Sequence, residues 1–163
     1  MITKIISGGQ VGADIAGLKV ARDLNIETGG TVPKGWKTKH GPKPELSKLG
    51  LVEHESSSDY PPRTTMNIKN SDATIIFATN FNSPGTRLTI TSCKTNGKPY
   101  FLVDITDKYG AFIFDVFDFF NEHSVHTLNV AGNAGKSKQS TNRIYTRTVK
   151  LLRHYVEKYN TSS

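Results

Sequence analysis

A chain of 163 residues with 36% hydrophobic and 21% charged side chains is long enough to bury roughly two-thirds of its unfolded surface, and its polar runs are too short to read as disorder. Its only cysteine, Cys93, excludes an internal disulfide and a cysteine-based zinc site, which fits a reducing, cytoplasmic compartment. Twenty-one Lys and Arg against 14 Asp and Glu give +7, a balance suited to phosphates and other anions, while the most apolar run, Gly110 to Phe120, is short and broken by Asp115 and Asp118, so no membrane partner is expected.

Ile2 to Ile6 reads as a buried strand, followed by SGGQVGAD and a helix from about Val11 to Leu24 with Val11, Ile15, Leu18 and Ala21 on one face. From Glu27 to Tyr60 the pattern is irregular and punctuated by glycine and proline, with Thr31-Val32 and Leu51 to His54 as short strands. Pro61 and Pro62 fit the first turn of a helix reaching Asn70. Ala73 to Thr79 is a strand, Asn80 to Gly85 a loop, and Thr86 to Asn96 a helix, followed by a strand over Pro99 to Asp104. Residues Ala111 to Glu122 have helical spacing at Phe112, Val116, Phe119 and Phe120, and Phe114 and Phe117 exceed what one stripe needs, which suits self-association. Thr127 to Ala131 is the last strand, and Ile144, Thr148, Leu151, Leu152 and Tyr155 form the stripe of the final helix. This alternation predicts a mostly parallel α/β sheet with helices on both faces, built as a single domain over residues 1–163, with ligands beyond the carboxyl ends of the strands.

Three loops leaving those strand ends are the candidate site. In the first, Gly8, Gly9 and Gly12 with Gln10 let backbone N–H groups approach an oxyanion at a helix start, although a tight strand-to-helix turn needs glycine for purely structural reasons too. The spacing is neither the dinucleotide fingerprint nor a P-loop. Asp14, in the first helical turn, either orients a ligand hydroxyl or favours the helix dipole. In the second loop Ser83, Gly85, Thr86 and Arg87 place a hydroxyl and a guanidinium at another helix start, where Thr86 donates to a phosphate or caps the helix. In the third, Gly132, Asn133, Ser137 and Lys138 combine glycine, hydroxyl and ammonium groups. Lys34 belongs to a cationic stretch with Trp36 that folds over a ligand or lies solvated. Arg143, Arg147 and Lys150 flank the last apolar stripe, where they suit a phosphate backbone or simply form a soluble face. His123 and His126 straddle a helix end, a poor metal arrangement, so no metal ligands are assigned.

The stretches ISGGQVGAD, TGGTVPKGWKTKHGP, YPPRTTMNIKNSDATIIF, SPGT, KPYFLVD and LNVAGNAGKSK, in this order along nearly the whole chain, resemble the molybdenum cofactor carrier family. That family is similar in fold to cytokinin-activating phosphoribohydrolases and to single-strand-binding DNA-processing proteins. The resemblance implies a Rossmann-like domain, homo-oligomer formation, and a basic pocket for the pyranopterin phosphate and molybdate oxygens. It also implies a protein that binds, protects and delivers molybdenum cofactor (Mo-molybdopterin) or molybdate to molybdenum enzymes and need not catalyse a reaction. The glycines of SGGQVG, the Gly85-Thr86 turn and the Gly132 to Lys138 loop would line that pocket. Thr89 stands where the phosphoribohydrolases have their catalytic glutamate, and no catalytic residue is assigned. The alternatives are a nucleotide N-glycosidase and a nucleic-acid-binding module using the net charge.

Overall fold

A computed structural model describes all residues from Met1 to Ser163. In chain order the elements are β1 (Lys4–Ser7), α1 (Ala13–Asp23), β2 (Glu27–Val32), the hairpin β3 (Lys37–Thr38) and β4 (Gly41–Pro42), a 3-10 helix (Pro44–Leu49), β5 (Leu51–Glu53), α2 (Tyr60–Lys69), β6 (Ala73–Ala78), α3 (Pro84–Thr95), β7 (Tyr100–Asp104), α4 (Ile113–Glu122), β8 (Thr127–Gly132) and α5 (Lys138–Ser162). Six strands form one sheet in the order β5-β2-β1-β8-β6-β7. Every neighbouring pair in it is parallel, with Ile5 beside Leu128 and Ile75 beside Val130 at the centre. The fold is therefore the expected Rossmann-like α/β sheet with helices on both faces. No helix is long and apolar enough to cross a membrane.

Alternation along the central strands sends unlike side chains to the two faces. Ile75, Phe77, Leu128 and Val130 join α1, α4 and α5 in a core of 22 buried hydrophobic residues. The opposite face, covered by the packed pair α2 and α3, takes Thr74, Ile76 and Asn129; Thr74 and Asn129 hydrogen-bond each other, and Thr64, Asn67 and Ile68 of α2 and Thr86, Thr89 and Ser92 of α3 are also buried.

Several boundaries differ from the sequence expectation for physical reasons. Ile2 is buried, yet β1 starts only at Lys4, because both backbone groups of Ile2 are taken by the Asn160 side chain at the end of α5. Helix α1 starts at Ala13 rather than Val11, since Gly12 holds φ 87° just before it. Helix α3 begins at Pro84 rather than Thr86; proline needs no donor there, so Gly85 and Thr86 fall inside the first turn. Within the aromatic run, Phe119 and Phe120 are buried while Phe112 and Phe114 remain 63% and 60% exposed.

Candidate functional site

Strand β1 connects to β2 on one side of β8, and β6 connects to β7 on the other, so the strand order reverses around β8. Beyond the carboxyl ends at such a reversal two loops diverge and leave a crevice. Here it is a cavity of about 840 Å³ lined by the loops after β1, β6 and β8, by α2, and by Lys39 of the hairpin.

Asn133 knits the loops together. Its Oδ1 accepts from the backbone N–H of Thr79 (2.9 Å) and Asn80 (3.2 Å), and its Nδ2 donates to Thr86 Oγ1 (2.8 Å) and Ser83 Oγ (3.1 Å). Its backbone carbonyl accepts from Ala13 N at 3.2 Å, which seats the start of α1. Gly132 is obligatory at this junction: it holds φ 152°, and a Cβ would overlap the carbonyl oxygen of Phe77.

The start of α3 is the clearest set of free donors. The first helical bond runs from Arg87 N to Ser83 O, so the N–H groups of Gly85 and Thr86 lie ahead of it, and Ser83 makes no side-chain cap bond. A Cβ on Gly85 would meet nothing within 4 Å, so this turn faces open space. Thr86 is buried, and since its oxygen accepts from Asn133, its own O–H remains to donate. Thr89 donates its hydroxyl back to Gly85 O at 3.2 Å and supplies no carboxylate.

On the other wall Asp14 is 7% exposed; its Oδ2 accepts from Gln10 N at 3.2 Å and stands 3.7 Å from Arg63 Nη1. Burial pushes the Asp14 carboxyl up to about 6, against the opposing pull of Arg63 and the backbone N–H groups of Gln10 and Gly8. A Cβ on Gly8 would overlap the Arg63 guanidinium, so glycine here makes room for a side chain from another element. Arg63 Nε and Gln10 Nε2 are buried without hydrogen-bond partners. The hairpin closes the mouth: Lys39 N donates to Gln10 Oε1 (3.1 Å), Lys39 Nζ donates to Gly135 O (2.5 Å), and Lys37 stacks 4.9 Å over the Tyr60 ring.

Residues 5–156 match the model of the circularly permutated YpsA SLOG family. The chain belongs to this family. The crystal structure described as "Putative molybdenum carrier protein" from Syntrophus aciditrophicus SB is similar to it at 36% identity over 95% of each chain, with a TM-score of 0.82. No curated protein matches the chain.

In this SLOG-family chain, Gly8, Gln10, Asp14, Ser83, Gly85, Thr86, Gly132 and Asn133 line the cavity, whereas Gly9, Gly12, Lys34, Arg87, Ser137 and Lys138 do not. The missing Cβ of Gly9 faces Leu46, Leu51 and Val32, and that of Gly12 faces Asn133 O, so both glycines serve packing. Ser137 forms a capping box with Ser140, while Lys34, Arg87 and Lys138 point to solvent. Arg147, read as part of a solvated face, instead donates to Ile105 O (3.2 Å) and Asp107 O (2.5 Å) and ties α5 to the connection after β7.

Sequence reasoning missed the wall made by α2. Tyr60, Arg63, Thr64 and Asn67 stand at i, i+3, i+4 and i+7, one face of a helix, and all four line the cavity. The signal was present as a polar stripe at helical spacing. Asn67 is partly spent on the fold, since its amide accepts from Thr31 N (2.7 Å) and donates to Thr31 O (3.0 Å).

Proposed function

We propose that this protein is a small-ligand carrier whose cavity binds molybdenum cofactor or molybdate, shelters it and hands it to a recipient molybdenum enzyme. The observation that supports this most is the set of donors the protein leaves unused around one cavity: the Gly85 and Thr86 N–H groups, the Thr86 hydroxyl, Arg63 Nε and Gln10 Nε2, with Lys39 and Lys136 adding positive charge. Such a set is complementary to phosphate and oxo oxygens, and each charge-assisted hydrogen bond contributes roughly 1.5–3 kcal/mol, so a few of them give micromolar affinity. The volume of about 840 Å³ exceeds what a lone tetrahedral anion needs and accommodates a tricyclic pterin with its phosphate. The chain has no group of three or more His, Cys, Asp or Glu side chains arranged to hold a metal ion, so the cargo would be gripped through its oxygens. The molybdenum carrier named among similar structures agrees with this reading.

The test is purification from a host that makes the cofactor, followed by elemental and pterin analysis, with isothermal titration of molybdate into the purified protein. Co-purifying molybdenum or pterin is expected; absence of both, together with no molybdate binding, overturns the reading. Release of free base from nucleoside monophosphates with turnover would replace it by an N-glycosidase, which Thr89 argues against. Self-association through the exposed Phe112 and Phe114 belongs to the same proposal, and light scattering showing only monomer at tens of micromolar would remove it.

A further inference from the structure

Arg63 and Asp14 face each other across the cavity wall without closing a hydrogen bond between them. Their nearest atoms are 3.7 Å apart, whereas a charge-assisted N–H···O bond closes to about 2.7–2.9 Å. The Arg63 side chain is only 12% exposed, yet its Nε has no partner, so a strong donor is shielded from bulk water and left unused. The missing Cβ of Gly8 leaves the guanidinium its place in the wall, the cavity opens beside it, and the Tyr60 ring 5.4 Å away offers a flat surface along which it can turn.

We infer that Asp14 holds Arg63 as a stand-in for the ligand, and that an entering oxyanion takes over the guanidinium while the Asp14 carboxylate takes up one proton from solvent. This rests on the reading of the cavity as an oxyanion site. The charged side chains facing the exchange are Arg63 from α2, Lys39 from the hairpin and Lys136 from the loop after β8, and Asp14 is the one carboxylate in the lining. A dianion arriving there withdraws Arg63 from Asp14 and sets a like charge beside it; both changes disfavour the ionised carboxyl. Burial has already brought that carboxyl to about 6, so it is about one-tenth protonated at pH 7 before the anion arrives. A further rise above neutrality leaves it mostly protonated while the anion is bound. The consequence is selectivity by charge: a dianion gains from the exchange, while a neutral ligand leaves the pair intact.

The experiment is isothermal titration of dilute molybdate, which stays a dianion near neutrality, into the wild-type protein in buffers of different ionisation enthalpy. Near pH 7 we expect uptake of most of one proton per anion bound, with affinity falling by nearly tenfold per pH unit there and levelling off once pH exceeds the raised value of Asp14 in the complex. Asp14→Asn should abolish the proton uptake and flatten the pH dependence while still binding molybdate. Arg63→Met should lose at least about tenfold in affinity and take up less of a proton than wild type, because only the like charge of the anion then acts on Asp14. Molybdate binding to wild type with no proton exchange and no pH dependence overturns the exchange but leaves the carrier reading intact. No molybdate binding at any of these pH values, joined with no co-purifying pterin or molybdenum, overturns both. Should Asp14→Asn fail to fold, the buffer series on the wild-type protein decides alone.

Discussion

The two faces of the sheet are built from the same strands and differ in almost everything else. On the face of α1, α4 and α5, β6 and β8 present Ile75, Phe77, Leu128 and Val130 to Phe119, Phe120, Leu152 and Tyr155. On the face of α2 and α3 the same strands present Thr74, Ile76 and Asn129, and the helices add buried Ile68 but mostly polar groups, Thr64, Asn67, Thr86, Thr89 and Ser92. Apolar burial stabilises by roughly 25 cal/mol per Å², whereas a satisfied buried hydrogen bond contributes a net ~1 kcal/mol. One face therefore carries most of the stability, and the other gives up part of its apolar burial for a polar wall that continues into the cavity.

Substitutions on the two faces should separate accordingly. Phe120→Ala, at a fully buried site, should cost about 3–5 kcal/mol in urea unfolding while the folded fraction keeps its affinity for molybdate. A loss of affinity at constant stability would break the division of labour.

The next largest effect is on pH dependence. The folded carboxyl of Asp14, at about 6, lies above its ordinary value of 3.8, so between these values the folded state holds a proton that the unfolded chain has shed. Its contribution to stability is present below about 4, declines as pH rises through about 6, and amounts to about 3 kcal/mol. Urea unfolding of wild type and Asp14→Asn at pH 4.5 and 7 should show the wild type gaining on the variant upon acidification. A difference that is constant with pH would mean that burial does not raise this carboxyl.

Arg63→Ala should weaken molybdate binding tenfold to a hundredfold by isothermal titration, the worth of one charge-assisted donor, and shift the melting temperature by only a few degrees. Smallest is Ser137→Ala, which should cost about 1 kcal/mol through its capping box on α5 and leave molybdate affinity unchanged. An affinity loss there would return Ser137 to the site from which the geometry removes it.

What could be read from the sequence follows the same division. The strands of the apolar face announce themselves by composition, as ATIIFA does, and the three glycine-bearing loops were legible because only a few residue types permit a tight turn into a helix. Which glycine does what was not legible: Gly8 accommodates Arg63 and Gly9 accommodates Leu46, partners that are distant in sequence. Helix α2 was recognised from its prolines, but its inward face is polar, and a search for apolar stripes passes over Tyr60, Arg63, Thr64 and Asn67. The hairpin β3–β4 escaped because strands of two residues carry no periodicity.

The place of β8 has a consequence for the order in which the molecule can be made. It is the last strand in the chain and pairs with both β1 and β6, so a ribosome-bound chain that has not yet released residues 127–132 has two half-sheets with a gap between them. Asn133, which fastens the loops of both halves, emerges later still. Pairings that span so much of the sequence form slowly, because the entropy of closing the long intervening segment must be lost before the contact is gained. A nascent chain thus has no cavity until residues 127–133 have emerged, and one truncated before them would not sequester ligand that it could not hold.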